Sequence, residues 1–561
     1  MMQTVNSSQR RSWLSRVMQN VNILSGLAAV MAGLVLLPML AVVWIALFPS
    51  DNIWPHLLAT TFPVYMKNTL ILMIGVGICT ILVGTGCAWM SVRFSFWGLS
   101  WLRWAMLMPL AIPGYLGAYA LVDLLEYAGP VQTGMRAVMG YQSAQDYWFP
   151  EIRSMGAAII ILSASLYPYV YLLARASFQS QSAGMEDVAR SMGYGGWTRL
   201  WKISLPLARP AIVAGAAVAM MEAVNDFGTV DYFAVQTLTT GIFSTWFERS
   251  NPGGAAQLSL SVLILVGALI LIERRSRRRQ RYFDTTRHSR AQRAVVLRGW
   301  RAGVAFGLCF MPFAVGFILP FAVLGYHAFG EMEVWRDPDL WRALRNTISV
   351  AALTALVATL MAILILYAAR LSSAPKARAI LPVLGLGYAA PGAVLAVGVL
   401  IPFAAFDNWF ADLIYESTGW DPGLLITGTQ VAIVMALTVR FFAVPLGAID
   451  TAMAQMPPNL GAAARSLGKG HRDTLRHVYV PLIARAASAA VLLVFVDSVK
   501  ELPATMILRP FNYETLATRT HNFASLEDLS RAAPSAIGII AVGLVAVLIL
   551  ARSRLSPHSE S

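Results

Sequence analysis

Ala189-Arg190-Ser191-Met192-Gly193 and Ala464-Arg465-Ser466-Leu467-Gly468 lie 275 positions apart and read almost alike. The likeness extends to their surroundings, because a proline follows each glycine after the same interval, Pro206 in one case and Pro481 in the other. A repeat that keeps both residues and spacing marks one structural unit used twice. Working outward, Asn68-Thr69-Leu70 recurs as Asn346-Thr347-Ile348, and Pro113-Gly114 as Pro391-Gly392, both at an offset of 278. The chain is therefore a tandem duplication, with a three-residue difference absorbed ahead of the Ala-Arg-Ser stretches.

The solvent of this duplicated chain is a lipid bilayer. Apolar residues make up 57% of the 561 residues and charged residues 13%, against about 45–50% and about 25% in soluble domains. At about 20 apolar residues per helix plus loops there is room for about a dozen spans. We expect an all-α polytopic fold with spans near 23–48, 66–91, 101–125, 156–177, 206–226 and 257–272, and a second set near 302–328, 344–369, 379–404, 425–447, 482–501 and 534–551. The basic start at Arg10, Arg11 and Arg16 precedes an apolar run too long for a signal-peptide core, so it reads as the first span. Three domains of sequence follow: a six-helix half over 1–272, a linker over 273–301, and a second six-helix half over 302–561. Halves that run in the same sense imply a pseudo-twofold axis along the membrane normal with a pathway between them.

The net charge of +14 is an orientation signal. The linker carries eleven arginines, whereas segment 49–65 has no lysine or arginine. By the positive-inside rule the linker, both termini and both repeated loops face the cytoplasm. The arginine run reads as a solvated linker that also touches anionic lipid, and nucleic acid is not an expected partner. Gly75, Gly77, Gly84 and Gly86 lie among small residues, which suits close helix packing. Cys79, Cys87 and Cys309 sit in apolar segments without a C-x-x-C pair, so neither a disulfide framework nor a zinc site is implied.

The repeated loops read as short helices. Glu186 and Asp187 place negative charge at a helix start, and Gly193 stands where a left-handed cap would end the helix. In the second loop Pro457-Pro458-Asn459 opens the helix, Ala462-Ala463-Ala464 favours it, and Gly468 closes it. Each helix is followed by a stretch that returns to the membrane at Pro206 or Pro481.

This pattern resembles the cytoplasmic loop of ABC importer permeases, E-A-A, three variable residues, then G and a later L-P. The triplet stands here as Asp187-Val188-Ala189 and as Ala462-Ala463-Ala464, so the carboxylate is kept in the first loop and absent from the second. The resemblance implies that these helices sit in grooves on two cytoplasmic ABC ATPase subunits and pass on their closure, with Glu186, Asp187, Ala189, Gly193, Pro206, Ala462, Ala464, Gly468 and Pro481 as the coupling residues. Glu222-Ala-Val-Asn-Asp226-Phe-Gly-Thr-Val and Lys500-Glu501-Leu502-Pro503-Ala504-Thr505, with the Thr240-Gly241 and Glu514-Thr515 stretches beyond, are similar to fused permeases of ferric-iron importers. Thiamine and aminophosphonate permeases share the duplicated layout. The resemblance also implies a bacterial inner membrane and an extracytoplasmic substrate-binding protein that selects the substrate.

Each fifth span ends in two carboxylates at i, i+4 spacing, Glu222 with Asp226 and Asp497 with Glu501. Counting from Pro206, Glu222 lies about 24 Å along the span, where ionisable groups normally face a cavity or a partner. Two roles stay open. The four acids could form a translocation pathway or gate for a hard cation that favours oxygen donors. Alternatively, since Lys500 could neutralise one neighbour, they could be structural. No metal site is assigned. The chain has no G-x-x-x-x-G-K-[ST] loop, so no cofactor is expected on it, and ATP and Mg would be used by the partner ATPases. It is thus read as a transporter subunit and not as an enzyme. A proton-coupled secondary transporter is the alternative of another class, although it leaves the repeat outside the bilayer unexplained.

Overall fold

The computed structural model describes residues 23–181, 188–189, 191–278, 294–371, 381–385, 387, 390–457, 459–467 and 469–553. Apart from one two-residue parallel pairing, these residues form helices and their connections. The long helices are α1 (Ile23–Leu47), α2 (Phe62–Arg93), α3 (Gly114–Leu125), α4 (Met155–Ser180), α5 (Leu205–Asn225) and α6 (Pro252–Arg278). They continue as α7 (Trp300–Gly330), α8 (Pro338–Leu371), α9 (Gly392–Thr418), α10 (Gln430–Ala454, broken at Phe442), α11 (Val480–Val499) and α12 (Leu529–Ser553). Among the described residues 9 helices are long and apolar enough to span a bilayer, or up to 11 if each of two bent pairs is one span. Leu529–Val545 is a shorter apolar helix. The fold is all-α and polytopic, and twelve full spans are not established.

Prolines explain most departures from straight spans. The expected span 101–125 is bent by 94° between Leu99–Ala111 and Gly114–Met139. Ile112 is extended ahead of Pro113, as the residue before a proline prefers. The expected span 379–404 instead begins its helix at Gly392, after Pro391, and runs to Thr418, where Gly419 closes it in a left-handed conformation. In α10 the two pieces meet at 47°. Pro445 cannot donate to the Phe441 carbonyl, which is where the helix breaks. Wide π turns at Leu200–Ser204, Ala314–Ile318 and Leu475–Tyr479 each end two residues before a proline, Pro206, Pro320 or Pro481. Each absorbs a missing N–H without ending the helix.

The described residues divide into two compact units. One holds the chain up to Trp44 together with Ile348–Asn512, and the other holds Ile45–Thr347 together with Tyr513 onward. In the first unit Gly398 of α9 lies against the Pro38 carbonyl of α1, an approach that a side chain would block. In the second, Gly316 of α7 lies against the Ala164 carbonyl of α4, and a Cβ on Gly543 of α12 would meet the Ala111 carbonyl at 3.0 Å. The core of this unit joins Leu72 and Val76 of α2, Ala118 and Val122 of α3, Ile161 and Leu162 of α4, and Ala223 of α5 with Val230 and Phe233 beyond it. The expected linker is partly helical, because α6 continues to Arg278. Past it, Val295–Val296 pairs in parallel with Phe94–Ser95.

Three of the four glycines singled out in α2 are packing sites. A Cβ on Gly84 would meet Val170 Cβ at 2.7 Å and the Tyr167 carbonyl at 2.8 Å, and one on Gly75 would meet Ile159 at 2.7 Å. Gly77 lies against the Met220 side chain, whereas Gly86 has open space and is no packing glycine. Overpacking typically costs about 1–3 kcal/mol. Gly84→Val should therefore lower the thermal unfolding temperature of the purified protein while Gly86→Ala leaves it unchanged; equal effects would show that α2 and α4 are not in close contact.

Candidate functional site

The fifth span of each half does not lead directly into the sixth. After α5 the chain makes short helices at Gly228–Tyr232 and Leu238–Phe243, and after α11 it makes Pro503–Leu508 and Leu516–Ser525. Thr229, Val230, Leu238 and Ile242 are buried, as are Ala504, Ala517, Thr518 and Thr520. A buried segment of broken helices has free N–H and C=O groups that water cannot reach, so protein groups must satisfy them. The repeated sequence motifs supply those groups.

Asp226 and Glu501 are equivalent and act alike. Asp226 caps the first short helix, its Oδ1 accepting the Thr229 N–H at 2.7 Å. Glu501 accepts the Ala504 N–H at 2.9 Å, the Thr505 N–H at 3.1 Å and the Thr505 hydroxyl at 2.9 Å. The Pro-Gly motifs sit above these carboxylates. A Cβ on Gly114 would meet Thr229 Oγ1 at 2.9 Å and Asp226 Oδ2 at 3.2 Å, and one on Gly392 would collide with the Glu501 carboxylate and with Arg440. The Asn-Thr motifs clamp the next turn. Asn68 donates to the Gln236 carbonyl at 2.8 Å while Thr69 Oγ1 accepts the Leu238 N–H at 2.9 Å. Asn346 and Thr347 do the same to Glu514 and Leu516, at 3.0 and 2.8 Å. Thr237 with Thr240, and Thr515 with Thr518, close capping boxes on the helices that follow.

The two acid pairs differ in charge balance. Glu501 is buried and ion-paired with Arg440 at 2.9 Å, and Asp497 pairs with Lys500 at 2.8 Å. The N-caps Thr429 of α10 and Ser154 of α4 are 275 apart, so the residue equivalent to Arg440 is Ser165. Glu222 and Asp226, both partly buried, therefore have no arginine at that position. The pairs fall in different compact units. Among the described residues no group of three or more His, Cys, Asp or Glu is arranged to hold a metal ion.

The two repeated loops also match where they are described. The Met192 N–H bonds the Val188 carbonyl at 3.0 Å and the Tyr194 N–H bonds the Ala189 carbonyl at 3.0 Å, around Gly193 at φ +79°. In the second loop Leu467 bonds Ala463 at 3.3 Å and Lys469 bonds Ala464 at 3.1 Å. Asn459 accepts the Ala463 N–H at 2.9 Å, and the helix runs Leu460–Ser466. Ala189 and Ala464 point inward, whereas Val188, Met192, Trp197, Trp201 and Leu467 are exposed. Pro206 and Pro481 stand in the first turns of α5 and α11. Ala462 is helical. Glu186, Asp187 and Gly468 lie outside the described residues.

Sequence reading missed two features. A cavity of about 730 Å³ is lined by Asp123, Glu126, Arg153, Tyr232, His327 and Glu527, among others. Arg153 bridges Glu126 and Glu527 at 2.9 Å each, and His327 meets Asp123 at 3.0 Å. Behind it the buried Tyr119 hydroxyl bonds His521 Nδ1 at 2.8 Å. These residues come from distant parts of the chain, and no spacing rule joins them.

Two stability outcomes follow from the caps. Arg440→Met leaves Glu501 buried and unpaired, which should cost about 3–5 kcal/mol, and adding Glu501→Gln should restore part of the lost thermal stability. No restoration in the double variant would show that the pair is not the source of the loss. Ala234 and Asn512, 278 apart, both have positive φ, 55° and 58°. A left-handed alanine costs about 1–2 kcal/mol, so Ala234→Gly should raise the unfolding temperature and Asn512→Ala should lower it, read by differential scanning.

Residues 80–282 match the model of the family described as binding-protein-dependent transport system inner membrane component. The Fe(3+)-transport system permease protein FbpB 2 of Haemophilus influenzae is 23% identical over 489 residues, covering 86% of this chain and 89% of the relative. The putative molybdenum transport system permease protein YvgM of Bacillus subtilis is 27% identical over 206 residues, 36% of this chain and 87% of the relative. ModB of Escherichia coli, a molybdenum transport system permease, is 24% identical over 191 residues, 33% of this chain and 80% of the relative. Residues 80–282 thus resemble permeases of the binding-protein-dependent ABC transport class, and most of the chain's length resembles a fused permease of ferric transport.

Proposed function

We propose that this permease carries ferric iron across the inner membrane. The observation that carries the reading is the likeness to a ferric permease over almost the full length of both chains. The domains 1–272 and 302–561 then serve as its two permease halves. The exposed Val188, Met192, Trp197 and Trp201 surface and the Leu460–Ser466 helix dock onto two ATPase subunits, which supply the ATP hydrolysis that this chain does not perform. A substrate-binding protein delivers the ion to the opposite face, and both termini lie in the cytoplasm.

The acids divide between the two roles that the sequence left open. Glu501, held by Arg440 and three donors of the Pro503–Leu508 helix, and Asp497, held by Lys500, serve the structure. Glu222 and Asp226, facing no equivalent of Arg440, serve the cation. Molybdate is the second reading, favoured by the relatives that match about a third of the chain. A carboxylate pair at the far end of α5 attracts a hard cation and repels an oxyanion, which supports iron. Thiamine and aminophosphonate remain substrates to be compared.

Uptake of labelled ferric iron, molybdate, thiamine and an aminophosphonate by cells with and without the gene tests this directly. ATP-dependent loss of iron uptake alone is expected; loss of an organic substrate or of molybdate discards the metal, and uptake driven by a proton gradient discards the class. Within the iron reading, Gly193→Val should abolish uptake with normal insertion, because φ +79° is closed to a β-branched residue. Asp226→Asn should slow uptake, and an unchanged rate would remove the first-half acids from the pathway.

A further inference from the structure

The cavity of about 730 Å³ lies wholly within the second unit, where the end of α3 that carries Asp123, the end of α7 that carries His327 and the start of α12 at Leu529 come together. Part of its lining is apolar, with Ala322 and Val323 of α7, Leu529 and the exposed Tyr326. The rest is charged in both signs. Arg153 uses Nε and Nη2 to hold Glu126 and Glu527, so among the described residues its Nη1 has no hydrogen-bond partner. Asp123 meets His327 through Oδ2 and Glu527 meets Arg153 through Oε1, which leaves one oxygen of each carboxylate open among the described residues.

The helix Pro130–Met139, whose Pro130 and Thr133 line the same cavity, supplies a second observation. Its polar face is turned inward, where Gln132 donates to the Leu125 carbonyl at 2.8 Å and Arg136 to the Tyr127 carbonyl at 2.8 Å. Pro130, Val131, Gly134, Ala137 and Val138 share the opposite arc and are exposed. That is the reverse of a helix facing water, and it suits one that lies against a bilayer interface. Trp148 beyond it is exposed as well, and tryptophan and tyrosine favour that level of a membrane.

We propose that this cavity binds the headgroup of a zwitterionic phospholipid with a primary amine, phosphatidylethanolamine. The ammonium donates to the open oxygens of Asp123 and Glu527, and the phosphate accepts from Arg153 Nη1, since a guanidinium fork suits phosphate oxygens. The acyl chains leave along Ala322, Val323 and Tyr326. Charge and hydrogen bonding decide between lipids. Phosphatidylglycerol brings no cation to a lining in which Asp123, Glu126 and Glu527 outnumber Arg153. Phosphatidylcholine brings a cation without an N–H, and an ionised carboxylate only accepts. The outer level of the site in the membrane rests on the orientation proposed above, whereas the binding itself does not.

The test uses the full-length protein in detergent, titrated with dioleoyl phosphatidylethanolamine, phosphatidylcholine or phosphatidylglycerol and read by native mass spectrometry. One phosphatidylethanolamine per chain should bind about tenfold more tightly than either other lipid, the worth of one hydrogen bond to a charged group. The double variant Asp123→Asn with Glu527→Gln should bind phosphatidylethanolamine no better than phosphatidylcholine. Ala322→Trp, which fills the cavity from an exposed position and alters no charge, should abolish the preference too, and it keeps the test open if the charge variant fails to fold. Equal affinity of the wild type for the three lipids, or a preference that survives Ala322→Trp, overturns the proposal. Soluble phosphoethanolamine should compete only weakly, and competition as strong as that of the lipid would overturn the lipid in favour of a small zwitterion. Transport enters none of these readings, so failure of the ferric assignment would leave the result standing.

Discussion

A polypeptide that stops being a long helix inside a membrane protein has to find protein partners for the backbone groups it frees. That requirement governs the most elaborate part of this fold, the short helices after α5 and α11. A carboxylate at the end of each span accepts the N–H groups that open the next helix. A glycine of α3 or α9 lets the neighbouring helix start close enough to cover that carboxylate. An asparagine and a threonine of α2 or α8 hold the turn that follows. The residues that looked like scattered repeat markers are thus parts of one device, built twice.

The device is symmetric in backbone and asymmetric in charge. Glu501 is fully satisfied and faces Arg440, while the equivalent of Arg440 in the first half is Ser165. A carboxylate that must both cap a helix and balance a buried guanidinium has no capacity left for a passing ion. Asp226 caps its helix without an arginine at the equivalent position. Duplication therefore supplied two copies of a structural cap, and divergence at one neighbouring position separated what the copies can do electrostatically.

Much of this was legible because it is local or periodic. The apolar runs mark the helices, and the left-handed turn at Gly193 follows from the residue type. Less legible were features that depend on which prolines bend a span. The 94° break at Pro113 and the 47° break ahead of Pro445 fell inside stretches whose hydropathy looks continuous. Hydropathy measures transfer from water and is blind to a missing N–H. For the same reason Gly84 and Gly86 look alike in sequence, yet only Gly84 lies against a neighbouring backbone.

The sequence by itself determined the class of fold, the duplication, the two repeated loops and the position of the four acids, since each is carried by composition or by spacing along the chain. The tertiary structure alone decided which acids are occupied. Arg440 lies 61 residues from Glu501, and Arg153 reaches Glu527 across 374 residues. It likewise decided that α1 packs with the second half and α7 with the first. Such pairings depend on how helices are arranged in space, and a chain read residue by residue contains no distance between segments that are remote in sequence.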